Sequence, residues 1–142
     1  MKRKMKKVVL FTILFLTFKI TFAQYVYDGN GKKTGRMDGN YIYNGSGKQI
    51  GRIEGDYIYD GSGQRIGRMD GEYIYDGSGR QMGRINGDYL FDGNGKQIGR
   101  IQGDYLYDSS GKQIGRTDRL RRMQKIIFFY FFMWTFIERR IK

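Results

Sequence analysis

A sixteen-residue phrase repeats along about two thirds of the chain, and this period constrains the fold more than any single residue does. The best-formed copy, from Tyr57, reads YIYDGSGQRIGRMDGE. The copies have aromatic starts at Tyr25, Tyr41, Tyr57, Tyr73, Tyr89 and Tyr105. A unit this short cannot bury a hydrophobic core alone, so neighbouring copies must share one.

Two turn signals alternate along each copy. The first is an acidic or amide residue followed by glycine, such as Glu54-Gly55, which is typical of a type I′ hairpin turn. The second is Asp60-Gly61-Ser62-Gly63 and its equivalents, in which the aspartate can close an Asx turn. Such short loops join antiparallel strands, because a parallel crossover needs a dozen or more residues. The repeats are therefore predicted to form a meander of hairpins.

The turns predict a register for the strands between them. A two-residue turn at Glu54-Gly55 places Arg52 beside Tyr57, and a four-residue loop over residues 45–48 places Arg52 beside Tyr41. Both pairings put the tyrosines, the arginine and Ile50 on one face of the sheet, with the other isoleucines and glycine on the opposite face. We therefore expect each arginine to lie between two tyrosines, where cation–π contacts recur at every step.

The same register gives the strand glycine a role. Gly51 is predicted to lie between Ile42 and Ile58, where its missing side chain leaves room for both. A three-residue loop in place of residues 45–48 would set Ile50 beside Ile42 and break the agreement between the two pairings. The four-residue loop is therefore preferred.

The two ends of the repeat array are complementary. It begins with a lone strand of the first type, Tyr25–Asp28, and ends with a lone strand of the second type, Gln113–Arg116. Pairing them would close a ring and remove the exposed edges that natural sheets avoid. After this, Thr117-Asp118-Arg119 lacks the turn glycine, so closure should end there and the tail should leave.

The predicted fold is all-β, with tandem 16-residue antiparallel β-hairpin repeats closed into a symmetric flower-like ring or shallow barrel. The YIYDGSG and IGRI phrases, over residues 25–118, resemble those of the bacterial β-flower proteins, short chains of glycine- and tyrosine-rich hairpin repeats. The resemblance implies a rotationally symmetric β-assembly and supplies no catalytic residues. The family is described as five-fold. Six aromatic starts against five complete repeat units leave the number of petals here at five or six.

Residues 1–23 have the three parts of a secretory signal peptide. Five basic residues between Lys2 and Lys7 precede an apolar stretch from Val8 to Phe18, and Thr21-Phe22-Ala23 offers small residues before the cleavage point. The apolar stretch is short for a bilayer span. We expect cleavage before Gln24 and export to the periplasm, cell envelope or medium. The alternative is an uncleaved anchor.

The domain division is then 1–23 signal peptide, 24–118 repeat array and 119–142 basic and hydrophobic tail. Within the tail, residues 126–137 include seven aromatic side chains. As a helix this segment would be ~18 Å long, against a hydrocarbon core of ~30 Å. It is therefore expected either to lie in a membrane interface or to pack on the repeats. The side chains concerned are Phe128, Phe129, Phe131, Phe132, Trp134 and Phe136.

The net charge of +12 is carried by the two ends of the chain. Residues 1–23 and residues 119–142 each contribute +6, whereas the array between them has thirteen basic and thirteen acidic residues. Binding to nucleic acid needs cations clustered on the docking surface, so no nucleic-acid partner is expected. The chain also lacks histidine and cysteine, which removes the usual general base and thiolate chemistry.

The Asp-Gly-Ser-Gly loops are interpreted as turns, because each supplies one carboxylate where calcium takes six to eight ligands. We therefore expect no enzyme activity, no metal and no cofactor. The candidate binding residues are a repeated set of arginines and tyrosines, whose alternative role is that of structural rungs. They are Arg36, Arg52, Arg68, Arg84, Arg100, Arg116, Tyr41, Tyr57, Tyr73, Tyr89 and Tyr105.

These features predict a non-enzymatic, exported structural or binding module at the bacterial cell envelope, associated with a membrane through its tail. The alternative is a carbohydrate-binding repeat module. The expected partners are accordingly membrane lipid or envelope glycan. A cytosolic MORN-like accessory protein is disfavoured by the signal peptide.

Overall fold

The computed structural model describes residues 22–134, and within them twelve antiparallel strands close into a barrel. The strands are β1 Gln24–Asp28, β2 Lys33–Asp38, β3 Tyr41–Asn44, β4 Gln49–Glu54, β5 Tyr57–Asp60, β6 Arg65–Asp70, β7 Tyr73–Asp76, β8 Gln81–Asn86, β9 Tyr89–Asp92, β10 Gln97–Gln102, β11 Tyr105–Asp108 and β12 Gln113–Asp118. A short α-helix, α1 (Arg122–Ile127), and a π-helix (Phe128–Trp134) follow. The predicted all-β closed ring is confirmed.

The ring closes where the complementary ends predicted, by pairing of β1 with β12. Tyr25 lies opposite Asp118 and Tyr27 opposite Arg116. The same register joins β4 to β5 within a hairpin, where Glu54 lies opposite Tyr57. The first and last strands of the array therefore pair in the same register as the two strands of a hairpin, although no turn joins them. With β2–β3, β4–β5, β6–β7, β8–β9 and β10–β11 as petals 1 to 5, the β12–β1 pair is petal 6.

The turn inside each petal lies one residue later than predicted. Glu54 pairs with Tyr57 across the strands, so the two central residues are Gly55 and Asp56 rather than Glu54 and Gly55. Gly55 has φ +59, while Asp56 is not among the residues with positive φ. Glycine at the first central position is the mark of a type II′ turn, so the type I′ prediction is wrong. The shift moves the pairing by two residues, so Gly51 and Arg52 keep their predicted faces.

The loop between petals also differs from the prediction. The Asn44 N–H donates to the Lys48 carbonyl, so three residues, not four, connect the paired positions. A register shift between Ile42 and Tyr43 then pairs Tyr43 with Gln49 and leaves Ile50 as an extra residue. This β-bulge restores the predicted pairing of Ile42 with Gly51, which is why a three-residue loop is compatible with the register.

The chain after β12 turns into the barrel. Asp118 ends the strand, and Arg119 has φ +64, close to the values of 57–60° at the turn glycines. Arg119 thus occupies the position of a type II′ glycine, but no further strand follows. Leu120, Ile126 and Ile127 are buried, and they lead into the π-helix on the barrel axis. An eight-stranded barrel is filled by its own side chains, whereas this wider ring encloses a helix.

Each of the six strand glycines faces one side chain of the π-helix. In chain order of the helix, the pairs are Phe128 with Gly35, Phe129 with Gly99, Tyr130 with Gly83, Phe131 with Gly67, Phe132 with Gly51 and Met133 with Gly115. We call residues 128–133 the plug. A Cβ added at Gly51 would lie 2.6 Å from Phe132 Cζ. The prediction that Gly51 makes room for Ile42 and Ile58 is therefore wrong: it pairs with Ile42 and Asp60, and the space above it belongs to the plug.

The π-helical geometry matches the six-fold ring. From Phe128 to Met133, five steps along the helix pass seven petals of ~60° each, which is roughly 84° per residue. An α-helix turns by ~100° per residue, so its successive side chains would not stay aligned with the petals. The π-helix, with its i→i+5 hydrogen bonds, is wider and turns less per residue. Six consecutive side chains can therefore reach six petals.

Candidate functional site

The outer face of the barrel carries the repeated arginines and, beside them, the first tyrosine of each petal. We call these arginines and tyrosines together the collar. Each collar arginine stacks on the second aromatic residue of its own petal, at 4.3–4.9 Å from the ring centroid. The stacked pairs are Arg36–Tyr43, Arg52–Tyr59, Arg68–Tyr75, Arg84–Phe91, Arg100–Tyr107 and Arg116–Tyr27. The predicted neighbours of Arg52 are thus half right: Tyr41 lies opposite it, but Tyr59 takes the place assigned to Tyr57.

The first tyrosine of each petal is left open to solvent. Tyr41, Tyr57, Tyr73, Tyr89 and Tyr105 are 38–46% exposed, the most exposed aromatic side chains of the barrel strands. Each pairs with the arginine of the next petal, as Tyr89 does with Arg100. The collar therefore alternates exposed phenol rings with stacked guanidinium groups around the barrel.

A carboxylate accompanies some of the collar arginines. Arg36, Arg52 and Arg68 pair with the acid two residues further along, Asp38, Glu54 and Asp70, at N–O distances of 3.4–3.6 Å. In petals 4 and 5 an amide, Asn86 or Gln102, stands at this position. Within residues 22–134, Arg84 and Arg100 accordingly form no ion pair with a carboxylate; Arg116 forms none either, although Asp118 follows it by two residues. The collar is symmetric in shape but not in charge.

The loops between petals are organised by their first side chain, as predicted. Oδ1 of the aspartate or asparagine accepts two loop N–H groups at 2.9–3.0 Å, as in Asp60 with Ser62 and Gln64. The Ser62 hydroxyl also donates to Asp60 Oδ1 at 2.7 Å. That bond lowers the pKa of Asp60 from its usual value of 3.8. The equivalent serine hydroxyl bonds lower the pKa of Asp76 and Asp108. These carboxylates are held as turn acceptors rather than directed at a ligand.

Cations of the tail dock on the turns of petals 4 and 5. Arg122 binds the Gly87 carbonyl and lies 3.5 Å from Asp88, and Lys125 lies 2.8 Å from the Gly103 carbonyl oxygen and 3.2 Å from Asp104. A turn carbonyl and the next carboxylate thus hold each cation. The turn carboxylates of petals 4 and 5 are in this way paired with the tail.

The aromatic residues of the tail between Phe128 and Trp134 lie inside the ring. Phe128, Phe129 and Phe131 are buried, and Phe132 and Trp134 pack against the same core. Phe136 lies outside the described residues. Tyr130 is completely buried; its hydroxyl donates to the Phe91 carbonyl at 2.7 Å, and burial raises its pKa well above 10. Of the two expectations for the tail, packing on the repeats describes residues 126–134.

In the part of the chain that the structure describes, no cluster of three acidic, histidine or cysteine side chains could hold a metal ion. Neither of the helices in that part is long and apolar enough to cross a bilayer. The collar is a repeated, solvent-exposed surface of these residues.

A family described as 5-fold beta-flower protein matches residues 23–133, which is most of the chain. The chain belongs to this family. No curated protein and no solved structure matches it. Residues 22–134 of this beta-flower protein form six petals, one more than the description of its family names, and the two ends of the repeat array supply the last petal.

The sequence interpretation missed two features of the site. The absence of a carboxylate beside Arg84 and Arg100 was readable from Asn86 and Gln102, but only once the spacing of the ion pair was known. The pairing of Asp88 and Asp104 with the tail had no signal in the repeats, because it depends on where the tail enters the ring.

Proposed function

We propose that this beta-flower protein is a non-enzymatic binding module exported to the cell envelope. Its collar is the binding surface, and carbohydrate of the envelope is the ligand. The observation that carries this proposal is the set of five equivalent tyrosines, 38–46% exposed, on a barrel whose interior is filled by its own tail.

Exposed aromatic rings at equivalent positions favour a repeating ligand. A tyrosine ring offers a large apolar face with a polar tip, and equivalent tyrosines around the ring present this face at regular intervals. Sugar rings also present apolar faces with polar edges. A polymer of such rings could contact several petals at once, so that weak contacts add through multivalency.

Export is proposed from residues 1–23, most of which lie outside the described residues. The proposed cleavage before Gln24 is compatible with the fold, because β1 begins at Gln24 and the sixth petal would remain whole. Mass spectrometry of the protein from its native cells tests this. We expect a mature chain beginning at Gln24 in the exported fraction; a full-length chain in the cytoplasm would contradict the proposal.

The fold makes the predicted membrane association through the tail less favourable. Side chains from Ile126 to Phe131 are buried in the ring, so inserting them into lipid would require the plug to leave. Lipid contact by the residues after Trp134 stays a prediction. The collar needs no such rearrangement, and for this reason carbohydrate is the ligand we propose.

Binding to isolated envelope polysaccharide tests the role of the collar. Replacing Tyr57, Tyr73 and Tyr89 by serine should lower the bound fraction at least tenfold, because three contact faces are removed. The matched control replaces Tyr43, Tyr59 and Tyr75 by phenylalanine, which keeps the rings under the arginines and changes only their hydroxyl groups. Equal binding by the wild type and the serine variant would overturn the proposal.

A further inference from the structure

We infer that petals 4 and 5 form the anion-binding sector of the collar, and that its ligand is an acidic polysaccharide carrying carboxylates on its sugar rings. This inference rests on the proposed function and adds the charge of the ligand and the place where it binds.

The first observation is the unequal pairing of the arginines. Arg36, Arg52 and Arg68 each have a carboxylate within 3.6 Å. Arg84 and Arg100 have Asn86 and Gln102 at the corresponding position, and both amides are exposed. The N–H donors of a guanidinium group remain available to a ligand carboxylate when no carboxylate of the protein is bound to them.

The second observation is that the tail pairs with the turn carboxylates of this sector. Asp88 and Asp104 are the carboxylates on the turns of petals 4 and 5, and they pair with Arg122 and Lys125. On the turns of petals 2 and 3, Asp56 and Glu72 have no such partner among the described residues. In petals 4 and 5 an approaching anion therefore meets two unpaired arginines and turn carboxylates that are already paired. In petals 2 and 3 it meets ion-paired arginines and unpaired turn carboxylates.

The third observation is the geometry between the two arginines. Arg84 on β8 and Arg100 on β10 are separated by one strand, so they lie roughly 10 Å apart at the backbone. The intervening strand β9 carries Phe91, on which Arg84 stacks, and the exposed Tyr89, which lies opposite Arg100. An anionic chain crossing the petals would meet a guanidinium, an open phenol ring and a second guanidinium. A single small anion could use only one of these groups.

The stacking holds the guanidinium groups ready for this contact. Arg84 lies 4.9 Å from the Phe91 centroid and Arg100 lies 4.4 Å from that of Tyr107. A guanidinium lying flat on an aromatic ring loses little further freedom when it binds a carboxylate, so ordering costs less affinity.

The test compares polygalacturonic acid with its fully methyl-esterified form, which has the same backbone without the charge. The double variant Arg84→Gln/Arg100→Gln should lose roughly fivefold to tenfold in affinity for the acid polymer. The matched control Arg52→Gln/Arg68→Gln removes collar arginines of the same register that already pair with a carboxylate, so it should lose clearly less affinity than the Arg84/Arg100 variant. Melting curves establish that all variants remain folded.

A second pair of substitutions leaves the arginines untouched. Asn86→Asp/Gln102→Glu supplies the missing carboxylates and should weaken binding of the acid polymer as much as removing the arginines does. Equal losses in the Arg52/Arg68 control would overturn the assignment of the sector. Equal affinity for the two polymers would overturn the charge of the ligand and leave the proposed function standing. Binding to anionic lipid vesicles as tight as to the acid polymer would contradict the sugar ligand, and absence of binding to any glycan would contradict both proposals.

Discussion

The aspartates of the interpetal loops show how a single hydroxyl sets acid sensitivity. The Ser62 hydroxyl bond lowers the pKa of Asp60 in the folded protein. A carboxyl with a lowered folded-state pKa stabilises the fold above its unfolded pKa, and that stabilisation is lost as the pH falls through the folded value. The loops should therefore lose this contribution in acid, from about pH 4 downwards.

We expect Ser62→Ala to raise the pKa of Asp60 and to shift acid unfolding to higher pH. Carboxyl NMR titration measures the first effect and fluorescence-monitored unfolding the second. Ser46→Ala is the matched control, because its hydroxyl bonds to Asn44, which does not titrate in this range. Identical shifts of acid unfolding in the two variants would show that ionisation of Asp60 is not the cause.

The collar arginines should contribute to stability more than the loop lysines do. Arg68 stacks on Tyr75 at 4.4 Å and pairs with Asp70, whereas the side chain of Lys48 is exposed in its loop. An exposed cation–π contact is worth ~0.5–1 kcal/mol and an exposed ion pair less. Arg68→Ala should lower the melting temperature by a few degrees more than Lys48→Ala, as measured by calorimetry, and equal values would contradict the structural role.

At the scale of elements, the plug and the glycine strands depend on each other. A Cβ added at Gly35 would lie 2.9 Å from Phe128 Cε1 and 3.5 Å from the nearest backbone atom, so the plug side chain alone opposes it. Gly35→Ala should destabilise by ~1–3 kcal/mol through overpacking. Phe128→Leu should relieve part of that cost, so the double variant should be more stable than the sum of the single effects indicates.

Chemical denaturation measures this coupling as a double-mutant cycle. The control combines Gly35→Ala with Phe132→Leu, because Phe132 faces Gly51 on another petal. Additive effects in the control and coupled effects with Phe128 are expected. Equal coupling of Gly35→Ala to Phe128→Leu and to Phe132→Leu would mean that the plug side chains do not each contact one petal.

The strands were predictable from the sequence because local turn chemistry and a period of two determine them. The turn was displaced because Glu54-Gly55 and Gly55-Asp56 are both turn-forming pairs, and only the backbone φ of Gly55 distinguishes them. The plug could not be assigned because an aromatic segment is equally suited to a lipid interface and a protein interior. The informative signal was the glycine in every six-residue strand, because these six glycines equal in number the six side chains of the plug.

For the whole molecule, the neutral charge of the array conceals a marked polarity. The rim that carries the type II′ turns has eight acidic residues of the array and none of its basic residues: Asp38, Glu54, Asp56, Asp70, Glu72, Asp88, Asp104 and Asp118. The basic segment Arg119–Lys125 enters the ring at this rim and neutralises part of it. Counting charges along the chain could not show this, because the alternation of turns places all of these acids at one end.

The ring is filled by its own tail, and the collar is left open to a ligand on the outer face. Nuclear Overhauser contacts between the glycine Hα protons and the plug side chains test this most directly. We predict that each of the six strand glycines contacts a different residue of 128–133, in the order given above. Glycines without contacts to the plug, or one set of contacts shared by all petals, would contradict it.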